Sequence, residues 1–149
     1  GEPLQMDVCE GRTRVALSGP YLSVRVAEPE QEMAVRSAVE GWMRRQAKPV
    51  FEDSIERQFH WFEQQGFVRP TLRIKKMRTR WGSLSARGYI NLNMALLHYP
   101  ADALDYVVMH ELCHLKHMDH GPGFHPLMDA RMPDWRHRKT LLEQPLFQP

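Results

Sequence analysis

The chain has 149 residues, 42% of them hydrophobic and 26% charged, with a formal net charge of +2 and a pI near 8.7. These values fit one compact domain of ordinary composition, and the mildly basic balance permits an acidic partner without demanding one. No apolar run approaches the roughly 18 residues of a membrane helix, and the two cysteines, Cys9 and Cys113, stand too far apart in sequence to suggest a disulfide scaffold.

In chain order, residues 12–26 read as a hairpin. Val15 and Leu17 lead into Ser18-Gly19-Pro20, and Leu22, Val24 and Val26 alternate beyond the turn. Pro29 suits the first turn of a helix running to about residue 46, with Val35, Val39, Trp42 and Met43 at helical spacing. A second helix is expected after Pro49, with Phe51, Ile55, Phe59 and Phe62 on one face, ending near Gly66. Both aromatic stripes read as core packing. Leu72, Ile74 and Met77 alternate with basic residues as in a half-exposed strand. A loop with Trp81-Gly82-Ser83 follows, then a strand over residues 88–93.

Tyr99-Pro100 precedes a helix expected over about residues 101–117, which Gly121-Pro122-Gly123 breaks. Shorter helices are expected over residues 124–131 and 135–142. No repeat or low-complexity segment is visible. Strands, helices, strands and helices in succession indicate an α+β fold rather than repeated βαβ units. No basic-plus-apolar leader stands at the start, which is Gly rather than Met, and the cysteine usage fits a cytoplasmic location.

The main compositional anomaly is histidine. Five of the eight lie between His110 and His125. His110-Glu111-Leu112-Cys113-His114 places two imidazoles four residues apart, about one turn along one helix face. Both can reach one ion at about 2.0–2.1 Å. Glu111, rotated about 100° from His110, is placed for a metal-activated water rather than the metal. A hydrolytic zinc site needs this combination of Lewis acid and general base. Leu104, Val107, Val108, Leu112 and Leu115 can bury the helix's other sides.

Catalytic zinc usually takes three protein ligands. His120, at the start of the Gly-Pro turn, can fold back over the metal and is the expected third. His117, Asp119 and His125 are the alternatives. Cys113 faces away by helical phase and reads as a small buried residue. Asp105, Asp129 and Asp134 are candidates to orient a ligand imidazole.

Arg80-Trp81-Gly82-Ser83, Gly88 to Asn93, Pro100, Asp105-Tyr106-Val107-Val108, the His110–Leu115 run, His120 and Phe124 together resemble the YgjP-like metal-dependent hydrolases, which are related to SprT-like metallopeptidases. The match is continuous over about residues 71–142, and the N-terminal part is also similar.

The resemblance implies a zincin-like fold, with a small twisted sheet packed over the metal helix and His120 as third ligand. The whole of residues 1–149 would form one domain, with an N-terminal hairpin and helices to about residue 70 and a catalytic core beyond. Departures from the family pattern are Leu84 for Cys, Gly121 for Ser, and Phe124-His125 for Phe-Trp. The strand over residues 88–93 is expected to offer a substrate edge, as in other zincins. Trp81 and Tyr89 read as packing residues, and Arg80, Tyr89, His98 and His137 are candidate donors to a developing oxyanion.

The function expected is zinc-dependent hydrolysis of peptide or protein amides, with Glu111 as general base and His110, His114 and His120 on the metal. Two rivals remain. The basic run Arg69, Arg73, Lys75, Lys76, Arg78, Arg80 would suit a nucleic-acid-binding module with a structural metal. A zinc hydrolase of non-peptide amides would use the same chemistry. Neither membrane attachment nor an oligomeric state is indicated.

Overall fold

The computed structural model describes residues 4–143, which divide between Gln46 and Ala47 into two compact units. In the first unit, strands β1 (Gln5–Glu10), β2 (Arg14–Ser18) and β3 (Tyr21–Val26) form a sheet in the order β1-β3-β2. The expected hairpin is β2-β3, antiparallel through Ser18↔Tyr21. Leu22, Val24 and Val26 are buried and pack with Val15 and with Val35, Ala38, Val39 and Trp42 of the following helix. β1 was not expected. Its Met6–Val8 alternation is short, and what makes it a strand is parallel pairing with β3, Met6 opposite Leu22 and Val8 opposite Val24.

One helix, α1 (Glu32–Gln64), replaces the two expected, and Pro49 lies inside it. Proline there removes the N–H that would bond the carbonyl of Arg45, at a cost of about 3 kcal/mol. Phe51 and Ile55, just beyond, are fully buried. At roughly 1.5–3 kcal/mol each, keeping them in helical register outweighs the break. The helix stops at Gly66, whose φ of +91° favours glycine, and the Phe67 N–H bonds the Phe62 carbonyl at 3.0 Å.

In the second unit, β4 (Thr71–Lys75), β5 (Gly82–Leu84) and β6 (Tyr89–Asn93) are ordered β4-β6-β5. β4 runs parallel to β6, and β5 antiparallel. A 3-10 turn (Met94–His98), helices α2 (Ala101–Cys113), α3 (Phe124–Arg131) and α4 (Trp135–Thr140), and a last 3-10 turn (Leu141–Glu143) complete it. Three expectations are corrected. Gly82-Ser83-Leu84 is a strand, too short for its alternation to show. β6 is the central strand, so the edges are β4 and β5, and β5 is the one whose Gly82 lies against Glu111. α2 ends at Cys113 because the next turn tightens, with N–H bonds from His114, Leu115 and Lys116 to carbonyls three residues back.

The core of this unit joins Phe51, Ile55 and Phe62 of α1, Ile90 and Leu92 of β6, Val108 and Leu112 of α2 and Met128 of α3. Asp105 ties three helices together. It accepts from the Ser54 hydroxyl at 2.7 Å and from Arg57 at 3.1 Å, and lies 3.9 Å from Arg138. Among the described residues no helix is long and apolar enough to cross a membrane. Phe62 is fully buried and packs on Phe59, Trp61 and Phe67. Phe62→Ala should therefore lower stability by about 3–5 kcal/mol, read as a fall in the urea midpoint with little change in slope.

Candidate active site

Helix α2 and the turn after it build the site. Apolar packing fixes the helix, with Val108 and Leu112 fully buried, so the polar face carrying Tyr106, His110 and His114 has one orientation left. Beyond Cys113 the chain reverses. The Asp119 carboxylate accepts the Gly121 N–H at 3.0 Å, and the Phe124 N–H bonds the Gly121 carbonyl at 3.1 Å. This turn swings His120 back over the helix.

His110, His114 and His120 each offer one ring nitrogen, all within 4.8 Å of one another. His110 Nε2 and His120 Nε2 are 3.1 Å apart. His114 Nδ1 lies 2.9 Å from the His117 carbonyl, which can only accept, so Nδ1 carries the proton and Nε2 keeps its lone pair. Burial, and then the neighbouring His114 and His120, push His110 down to about 4; burial also lowers His114. Imidazole nitrogens converging in this way are the donor set a divalent cation takes, so these three residues fit one. Among the described residues the group has three members, not the four of a closed structural site.

The other candidate ligands are placed elsewhere. His125 stacks on Trp135 at 5.6 Å and 13°. Asp119 holds its own turn. His117 contributes its carbonyl, and its ring occupies the space a side chain at Gly123 would need. Cys113 is fully buried, and burial raises its thiol to about 12, as expected of a packing residue.

The three carboxylates considered as imidazole partners serve other groups: Asp105 the helices, Asp129 the Trp135 indole N–H and Arg136, Asp134 the Arg138 guanidinium. The sequence reading missed two supports. One is the His117 carbonyl, since a backbone direction leaves no trace in residue identity. The other is Phe124, whose ring lies 4.7–4.9 Å from all three imidazoles and stacks on His114.

Glu111 is only 6% exposed. Burial raises its carboxyl to about 7, and the charge of Arg80 pulls the other way. A cleft of about 190 Å³ opens beside it. Arg80, Trp81 and Gly82 form one bank, and Tyr106, Val107, His110 and Glu111 the other. The bare backbone of Gly82 gives this approach its closeness. A Cβ would stand 3.0 Å from the Asn91 carbonyl, 3.1 Å from Val107 and 3.2 Å from Glu111 Cγ.

Of the four candidate oxyanion donors, Arg80 lines this cleft. Tyr89 lies under the Arg73 guanidinium at 3.4 Å, His98 ends the 3-10 turn, and His137 is on α4. Tyr106, one turn before His110 on the same face, could have been found from its i, i+4 spacing.

Residues 1–145 match the family model described as YgjP-like, metallopeptidase domain. No curated protein sequence matches the chain. Among solved structures, it is similar to the metallopeptidase zymogen jannalysin of Methanocaldococcus jannaschii, at 19% identity and a TM-score of 0.55 over 65% of this chain and 90% of that one. It is also similar to the metallopeptidase zymogen abylysin of Pyrococcus abyssi, at 25% identity and a TM-score of 0.50 over 65% of this chain and 99% of that one.

The shifts of Glu111 and His110 act on metal-free stability in opposite directions. Between about pH 4.5 and 7 the unfolded chain releases the Glu111 proton before the folded one does, so this group costs stability as pH rises. Between about pH 6.5 and 4 the unfolded chain takes up a proton at residue 110 that the folded one refuses, so this group costs stability as pH falls. Metal-free Glu111→Gln protein keeps only the second effect. Its melting temperature should climb more steeply from pH 4 to 6.5 than that of the unsubstituted protein.

Proposed function

Since this chain belongs to the YgjP-like metallopeptidase family, and so is a metal-dependent peptidase of α+β, zincin-like fold, we propose that its metal is zinc, held by His110, His114 and His120, with Glu111 as general base for amide hydrolysis. The observation that carries this reading is the meeting of three imidazoles beside a buried carboxylate at an open cleft. Three imidazoles with a free fourth position suit zinc better than the oxygen-seeking cations. Bound there, it would supply Lewis acidity toward water and a substrate carbonyl.

The protein's own groups do the rest. Glu111 takes a proton from the attacking water and returns it to the departing amine. Its burial among apolar neighbours holds its carboxyl up, so it returns the proton readily, while Arg80 and a bound cation favour the ionised form that starts the cycle. The His117 carbonyl keeps the His114 ring in the tautomer that leaves Nε2 free. Strand β5, paired on one side by β6 and beginning at Gly82 beside Glu111, is the edge along which an extended peptide would add as a further strand. The family match runs across both compact units, and we take them together as one metallopeptidase domain.

Two variants separate the roles. Glu111→Gln should retain zinc, measured by metal analysis, and lose turnover by about 10²–10⁴-fold. His114→Ala should lose zinc and melting temperature together. A Glu111→Gln protein with undiminished turnover would overturn the assignment of the base. The acid limb of kcat/KM should lie below pH 7, since a bound cation lowers the carboxyl from its metal-free position, and should vanish in no His117 or His125 variant.

A further inference from the structure

From Arg69 to Ala101 the chain has seven Lys or Arg residues and no Asp or Glu, although its whole net charge is only +2. That stretch is the second sheet with its loops: β4, β5, β6 and the 3-10 turn. Cationic charge is thus concentrated on the part of the fold that forms one bank of the cleft.

The seven are not alike. Arg69 is paired with Glu52 at 2.6 Å, and Arg73 lies on the Tyr89 ring. Lys75, Arg78 and Arg80 are exposed, and among the described residues none of them has an ion-pair partner. Their positions follow from the strand order. β4 ends at Lys75, and the next loop crosses the end of β6, where Asn93 Nδ2 donates to the Met77 and Arg80 carbonyls at 2.9 Å each. The loop then enters β5 through Arg80, Trp81 and Gly82, the three residues of the cleft bank. Two side-chain hydrogen bonds therefore fix a cationic loop whose last residue faces Glu111 and His110 across the cleft.

We propose that this loop selects acidic polypeptide substrates, with Arg80 reading a carboxylate close to the scissile bond and Lys75 and Arg78 reading further ones along the chain. This rests on the peptidase reading and names its substrate class. A peptide added to β5 runs past the loop's end, so side chains on one flank of the cleaved bond meet exposed cations and no anion from this stretch. Complementary charge of this kind sets specificity by attracting one class of segment and repelling lysine-rich ones. Nucleic acid is the rival occupant. The continuity of the charge with the cleft bank favours polypeptide, and the aromatic ring on this sheet's outward row, Tyr89, is already covered by Arg73.

The test uses the zinc-loaded full chain and three matched fluorogenic peptide sets, with Asp/Glu, Asn/Gln or Lys/Arg flanking the central bond. At low salt the acidic set should exceed the neutral set by about tenfold in kcat/KM, as two or three exposed ion pairs would give. The difference should lie mainly in KM and shrink at high salt. Lys75→Glu/Arg78→Glu should abolish or invert the preference, while Lys48→Glu on α1, a charge reversal outside the loop, should keep it.

Binding to the Glu111→Gln protein, read by fluorescence anisotropy, should rank the peptides in the same order without turnover. Equal KM across the three sets, or a preference surviving the double variant, overturns the inference and leaves the peptidase reading standing. So does a single-stranded oligonucleotide that binds the Glu111→Gln protein more tightly than the acidic peptide and loses affinity in the double variant. No cleavage in any set with zinc bound overturns both.

Discussion

Two imidazole nitrogens 3.1 Å apart, on His110 and His120, are the constraint around which the site is built. Lone pairs facing each other at that distance repel unless a proton or a cation lies between them. The chain nevertheless directs substantial structure toward keeping them there: a helix buried on its other sides, a turn closed by Asp119, a carbonyl that fixes the His114 tautomer, and a phenyl ring against all three imidazoles. Burial keeps His110 unprotonated over the whole neutral range, so a cation meets no competing proton there. A preassembled donor set accounts for the arrangement more simply than three unrelated surface histidines would.

The same packing gives Glu111 its character. A carboxylate this deeply buried is penalised as an anion, Arg80 offsets part of that, and on our reading a cation held by the histidines would offset more. The missing side chain at Gly82 lets β5 approach both Glu111 and Val107, which brings the strand edge against the buried carboxylate. Sheet edge, carboxylate and histidines are thus mutually dependent. Substituting any one alters the electrostatics or the spacing of the others.

The second sheet carries a different burden. Its inner row, Leu72, Ile74, Ile90 and Leu92, packs into the core. Its outer row and its loop hold positive charge, and the loop ends in the cleft bank. One short sheet therefore supplies stability on one face and, on our reading, substrate selection on the other.

Much of this was legible in the sequence because it depends on spacing within single elements. A spacing of four from His110 to His114 puts them on one helix face whatever surrounds the helix, and the Phe51–Ile55–Phe59–Phe62 stripe has to be buried somewhere. The reversal at Gly121-Pro122-Gly123 was equally local, and with it the return of His120. Tertiary structure alone decided what depends on partners remote in sequence. Pairing turned residues 5–10 and 82–84 into strands and put β6 at the centre, so β5 rather than β6 is the edge beside Glu111. Burial of Phe51 and Ile55 carried α1 through Pro49. Asp105 was drawn to Ser54 and Arg57 on α1 rather than to a histidine, and a backbone carbonyl orients His114 instead. Periodicity records which face a residue occupies, whereas the identity of the group opposite is set only when distant segments pack.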